Sequence, residues 1–251
     1  GRRVHNLTMA DRERPELERS DYAAALAAFL REARDWRLAA AAYAGHGRRR
    51  QRLREWQAAR LADTHADLLA SPRFGEAAAF FLAELYGPKD FSLRDAEVER
   101  ILPMLTAMLP VSGLRTILLA VEVDALSERF DAAMVAALGD RLDQPVLTGE
   151  DYATAYRAIG DRPGRSLQIR LIIQTGEALE SLARSSFVRG ILRMMHGPAH
   201  MAGLGELHSF LERGFDAFHG MVNDADEFLA TIRERENAFS AELFAGGDLP
   251  G

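Results

Sequence analysis

The chain is 251 residues long, has no cysteine and carries a formal net charge of −6. A chain of this length buries enough surface to fold without a disulfide or structural metal, and the missing thiols exclude Cys-ligated zinc, iron–sulfur clusters and thiol nucleophiles. The acidic balance argues against general nucleic-acid binding, which depends on neutralising phosphates, so nucleic acid is not an expected partner.

No run of about 18 uncharged apolar residues offers a membrane span, and the first residues lack the apolar centre of a signal peptide; a cytoplasmic protein is expected. Lys89 is the only lysine. Schiff-base chemistry would have to use it, and no Gly-Lys-Ser/Thr sequence exists to form a P-loop.

Residues 1–19 are charged, aperiodic and interrupted by Pro15, which predicts a flexible arm; residues 20–245 read as a single helical domain. Ser20 is a suitable N-cap for a first helix in which Tyr22, Leu26, Phe29, Leu30 and Trp36 keep helical spacing, and Gly45 stops it. A second helix is predicted from about Arg48 to Ala70, with Leu53, Trp56, Leu61 and Leu68 facing inward. Ser71-Pro72 opens a third, rich in Phe, that runs to Tyr86 and ends at Gly87-Pro88.

Ser92 with Asp95 resembles a capping box, and the helix it opens passes Pro103 before Pro110 ends it. Ser112 begins a long amphipathic run closed by Gly139. Thr148 with Asp151 caps a short helix to Ile159, and Asp161 with Pro163 starts another that reaches Ser185-Ser186. A short helix ending near Met195, one from Pro198 to about Met221 and one from about Asp224 to Phe244 complete the chain. The result is an all-α protein, a single multi-helix bundle of about ten helices, with the first two forming a hairpin packed on the rest.

The segments FFLAELYGPKDF and GLGELHSFLERGF, within longer stretches around them, carry a resemblance to a family of all-helical proteobacterial proteins with no assigned activity. The resemblance covers much of the chain after Arg48. It implies a bacterial cytosolic protein and transfers no site residue.

Four places could hold chemistry. On the helix predicted after Pro198, Leu204, Leu207, Leu211, Phe215, Phe218 and Val222 form an apolar stripe that includes His200, and His208, Glu212 and His219 share one border of it. Imidazole and carboxylate on a bundle helix are ligands for iron or manganese. His208 and Glu212 are one turn apart, whereas His219 lies about 16 Å along the axis from His208, too far to share one ion. The competing reading is that these are polar residues at a core edge. Gly203, Gly205, Gly214 and Gly220 suggest close approach to this helix, either of a neighbouring helix or of haem with His196, His200 or His208 as axial ligand; Gly203 and Gly205 also read as a helix break.

The corner holding Tyr86 and Lys89 is a second candidate, with helix termination as its structural alternative. The third is the basic run of Arg48, Arg49, Arg50 and Arg52, followed by Trp56, which could bind phosphate or an acidic partner or simply be a solvated surface. Positive charge at a helix start opposes the macrodipole, which hints at a purpose. His65 with Asp63 and Asp67 is a poor metal set and reads as solvent-facing charge.

With no catalytic motif, the leading expectation is a non-enzymatic binding or regulatory protein, without cofactor, that recognises a protein partner or a small apolar ligand and can form a homodimer. The alternative is a metal- or haem-dependent helical-bundle oxidoreductase using iron, manganese or haem at His200, His208, Glu212 and His219.

Overall fold

The computed structural model of the chain describes residues 18–41, 45–84, 92–221 and 224–246. Among these residues there are eleven α-helices, one 3-10 segment and no strand. The helices are α1 (Arg19–Ala41), α2 (His46–Thr64), α3 (Ala66–Ala70), α4 (Gly75–Glu84), α5 (Ser92–Met108), α6 (Val111–Leu138), α7 (Gly149–Ile159), α8 (Arg162–Ala183), α9 (Ser186–Met201), α10 (Gly205–His219) and α11 (Ala225–Ala245). None of the described helices is long and apolar enough to cross a membrane.

The central element is α6. Its 28 residues span about 42 Å, at about 1.5 Å per residue. Three apolar clusters succeed one another along it. Leu114, Leu118 and Val121 pack with Tyr22, Leu26 and Leu30 of α1; Leu119, Val123 and Phe130 join the Phe-rich core of α4, α8, α10 and α11; Met134, Val135 and Leu138 close on Leu53, Tyr152 and Leu243. The expected hairpin of the first two helices is looser than its connectivity suggests, because α1 and α2 each pack chiefly on α6 rather than on each other.

Local chemistry sets most boundaries. Thr148 accepts the Asp151 backbone N–H while the Asp151 carboxylate accepts that of Thr148, a complete capping box at the start of α7. Asp161 caps α8 through the Gly164 N–H, with Pro163 in the first turn where its missing N–H costs nothing. Two boundaries differ from the sequence expectation. The predicted second helix is broken at His65, whose side chain is buried rather than solvent-facing: its Nε2 lies 2.9 Å from Glu236 of α11. Burial works to raise the Glu236 carboxyl, but the His65 hydrogen bond and the Arg60 charge outweigh it and hold the group below its ordinary value.

The second difference lies in the C-terminal half. The helix expected to end near Met195 continues through Pro198 to Met201, and the break falls at residues 202–204 instead. Gly203 has a φ of 67°, left-handed backbone that glycine adopts at little cost, and the N–H groups of Gly203 and Leu204 return to the carbonyls of His200 and Ala199. This turn folds α10 back against α9.

Candidate metal centre

The turn at 202–204 brings two one-turn pairs face to face. His196 and His200 lie four residues apart on α9; His208 and Glu212 lie four apart on α10, and each pair therefore projects from one helix face. One ring nitrogen of each of the three histidines lies within 4.8 Å of the others. The imidazole centroids are separated by 4.9 Å (His196 to His200), 5.4 Å (His196 to His208) and 6.1 Å (His200 to His208). A carboxylate oxygen of Glu212 lies 3.1 Å from His196 Nδ1 and 3.3 Å from His208 Nδ1.

His208 is the buried member, 5% exposed. Its Nε2 lies 2.9 Å from the Leu192 carbonyl, so the hydrogen-bond network assigns the proton to Nε2, which donates it. Nδ1 is buried without a hydrogen-bond partner, although a Glu212 carboxylate oxygen lies 3.3 Å away. An unpaired imidazole nitrogen beside a carboxylate oxygen offers a cation two donor atoms. A carbonyl that fixes the remote ring nitrogen is also the usual support for a metal-bound imidazole.

Bonds of about 2.0–2.1 Å to a tetrahedral ion place ligand atoms about 3.4 Å apart, so binding requires the rings to close in slightly. The side chain of His196 is 60% exposed and His200 is also exposed, which leaves both free to turn. Gly205 makes room for the His200 ring: a Cβ there would meet His200 Nδ1 at 2.7 Å. Gly205→Ala is therefore expected to push the flexible His200 ring out of the cluster and weaken metal binding, with helicity unchanged by circular dichroism. Metal affinity equal to that of the unsubstituted chain would show that His200 is not a ligand.

Of the residues the sequence singled out for metal, the structure brings together His200, His208 and Glu212 and leaves out His219, whose Nδ1 lies 3.1 Å from the Ala183 carbonyl and whose ring stacks on Phe215. His196 entered the sequence reading only as a haem ligand. Its spacing of four from His200 is the available signal, which the helix start that the sequence predicts at Pro198 hides. Val222, the last residue of the predicted stripe, lies outside the described residues, as do Tyr86 and Lys89.

The arginine-rich start of α2 is largely engaged within the molecule. Arg49 pairs with Asp140 at 2.6 Å and with Asp143, Arg52 donates to the Pro145 carbonyl, and Arg50 pairs with Glu128. Arg54 reaches Asp131 at 2.7 Å and Glu128 at 2.9 Å, while Trp56 stacks on Tyr152 at 4.2 Å. Arg48 remains 81% exposed, 3.7 Å from Asp143. Acids on α6 and on the 3-10 segment that follows it thus compensate the positive charge at this helix start.

The Arg50 and Arg54 pairs belong to a larger buried network. Arg37 of α1 contacts Asp95, Asp124 and Glu128; burial lowers its pKa, but the three carboxylates outweigh that and raise it above the ordinary value. Burial, followed by the Asp95 charge, pushes Asp124 up from 3.8 to about 7 against the opposing pull of Arg94 and Arg37. The folded chain therefore binds this proton more tightly than the unfolded chain. Its contribution to stability is full below about pH 4 and declines as pH rises towards about 7. Asp124→Asn is expected to remove that decline from the urea midpoint measured across this range; an identical pH profile would show that Asp124 does not titrate there.

A protein-family model, described as a domain of unknown function (DUF8198), matches residues 36–250. The chain belongs to the DUF8198 family. The matched span contains the histidine cluster of α9 and α10 and all of the buried arginine–carboxylate network. No curated protein and no solved structure matches the chain.

Proposed function

We propose that the protein binds one divalent first-row transition-metal ion between α9 and α10 and works as a metal-dependent helical protein. The observation that carries this reading is the convergence of His196, His200 and His208, with the buried, unpaired Nδ1 of His208 3.3 Å from the Glu212 carboxylate. Three imidazoles and one carboxylate, without a thiolate, suit zinc, iron(II) or manganese(II). Haem is disfavoured because three rings only 4.9 to 6.1 Å apart leave no slot for a macrocycle among them. The exposed histidines form the outer rim, so a bound ion would face water on one side, as catalytic sites do and closed structural sites do not.

The test is titration of metal-free protein with cobalt(II), read by visible absorbance, and with zinc by calorimetry. Saturation at one ion per chain, with competition between the two metals, is expected. If neither ion binds stoichiometrically, the reading fails. The alternative of a metal-free protein that docks a partner then stands. It draws its support from the outer face of α9, where Phe187, Ile191, Met194, Met195 and Met201 are exposed.

A further inference from the structure

One side of α9 is built to hold the helix on the molecule: Val188 and Leu192 pack on the core and Ala199 is buried. The outward side carries Phe187, Ile191, Met194 and Met201, all exposed. At about 100° per residue these four fall within an arc of about 80°, which Gly190 and Gly197 border. No charged residue interrupts the arc, and α9 contains no acid. A Cβ added at Gly190 or at Gly197 would meet nothing of the rest of the described chain within 4 Å. Contacts within the described chain therefore give no reason for two glycines that weaken this helix relative to alanine.

We infer that this face docks a second copy of the chain, with the two α9 helices antiparallel across a two-fold axis beside Met194. A two-fold interface must be self-complementary, and the order of residues about Met194 is. Phe187 and Met201 stand seven residues to either side, so the aromatic ring of each copy meets the thioether of the other. Ile191 and Gly197 stand three to either side, so the isoleucine of each copy enters the gap that the glycine of the other leaves. Met194 meets its own counterpart on the axis. With Met195 on the flank, the exposed side chains present about 600 Å² per chain, taking roughly 200 Å² for a fully exposed side chain of this size. Two copies thus cover about 1,200 Å², the lower end of the range for stable specific interfaces. A lipid surface is a poorer cover, because α9 brings only Arg189 and Arg193 as permanent cations and the chain's net charge of −6 opposes an anionic bilayer. The dimer needs no metal, so it stands or falls apart from the histidine site.

The experiment is sedimentation equilibrium of the full chain up to about 100 µM, with a chelator present so that ions on exposed histidines do not bridge copies. Twice the chain mass is expected, and a monomer throughout overturns the proposal. Met194→Glu sets two carboxylates against each other on the axis and should weaken the dimer by about 100-fold or more. Met194 is 69% exposed, so circular dichroism should show the helices intact. A dimer unchanged by this substitution lies elsewhere on the molecule and overturns the assignment to α9. The absence of cysteine makes orientation readable by disulfide trapping with diamide. Met194→Cys should cross-link to itself, and Phe187→Cys to Met201→Cys when the two chains are mixed. Phe187→Cys should not link to itself, because its two copies lie about 21 Å apart along the helices. Self-linking at that position overturns the antiparallel arrangement. A monomer that binds phosphatidylcholine–phosphatidylglycerol vesicles, and loses this in Met194→Glu, would make the face a membrane contact and overturn the dimer.

Discussion

His196→Ala is expected to lose metal binding while the fold stays intact. The side chain is 60% exposed and its one described polar contact is with Glu212, so its removal costs the helix nothing by packing. Affinity for cobalt(II) should fall by more than the roughly 10–100-fold that loss of an outer-shell partner produces, because a ligand itself is gone. His208→Ala should do the same and in addition destabilise the chain by about 1–3 kcal/mol, since the Leu192 carbonyl loses its donor in a buried corner. His219→Ala serves as the control: its imidazole is engaged with Ala183 and Phe215, so metal affinity should not change. Undiminished cobalt binding by His196→Ala would remove the three-histidine site.

Glu128→Ala should be the most damaging single substitution in the buried network. The side chain is 2% exposed and holds Arg37 at 2.9 Å, Arg54 at 2.9 Å and Arg50. Its removal leaves three guanidiniums short of a partner around one site, and breaking a buried pair from one side costs about 3–5 kcal/mol. The expected readout is a large fall in the urea midpoint with an unchanged slope. Arg48→Ala, at an exposed position of the same arginine run, should leave the midpoint where it was. If both substitutions had equal and small effects, the arginine-rich start of α2 would not be docked on α6 in solution.

The contrast between these two substitutions shows where sequence reading stops. The basic run was visible as arginines at a helix start, but not what they face. Arg50 and Arg54 are one turn apart on α2, and Asp124, Glu128 and Asp131 occupy one face of α6 at helical spacing. That acidic stripe was the available sign that one face of α6 meets cations. Read alone, either helix looks merely amphipathic. His65 was misplaced for the same reason, because its partner Glu236 lies 171 residues away.

The histidine cluster was half legible. The pair His208 and Glu212 is local, because residues four apart on a helix share a face wherever that helix sits. The pair His196 and His200 is equally local, yet its meeting with the first depends on a turn whose glycine also read as a helix break. Helix content, the capping box at Thr148, the Gly139 and Pro163 boundaries and the absence of thiol chemistry followed from the sequence by itself, since propensity, capping and side-chain reactivity are properties of neighbouring residues. Tertiary structure alone decided that α6 runs through the core, that four ligand-type side chains of two helices converge, and that Arg165 is buried with no carboxylate paired to it among the described residues. Each of these depends on the distance between segments remote in sequence, where burial lowers the dielectric and makes the presence or absence of a partner costly.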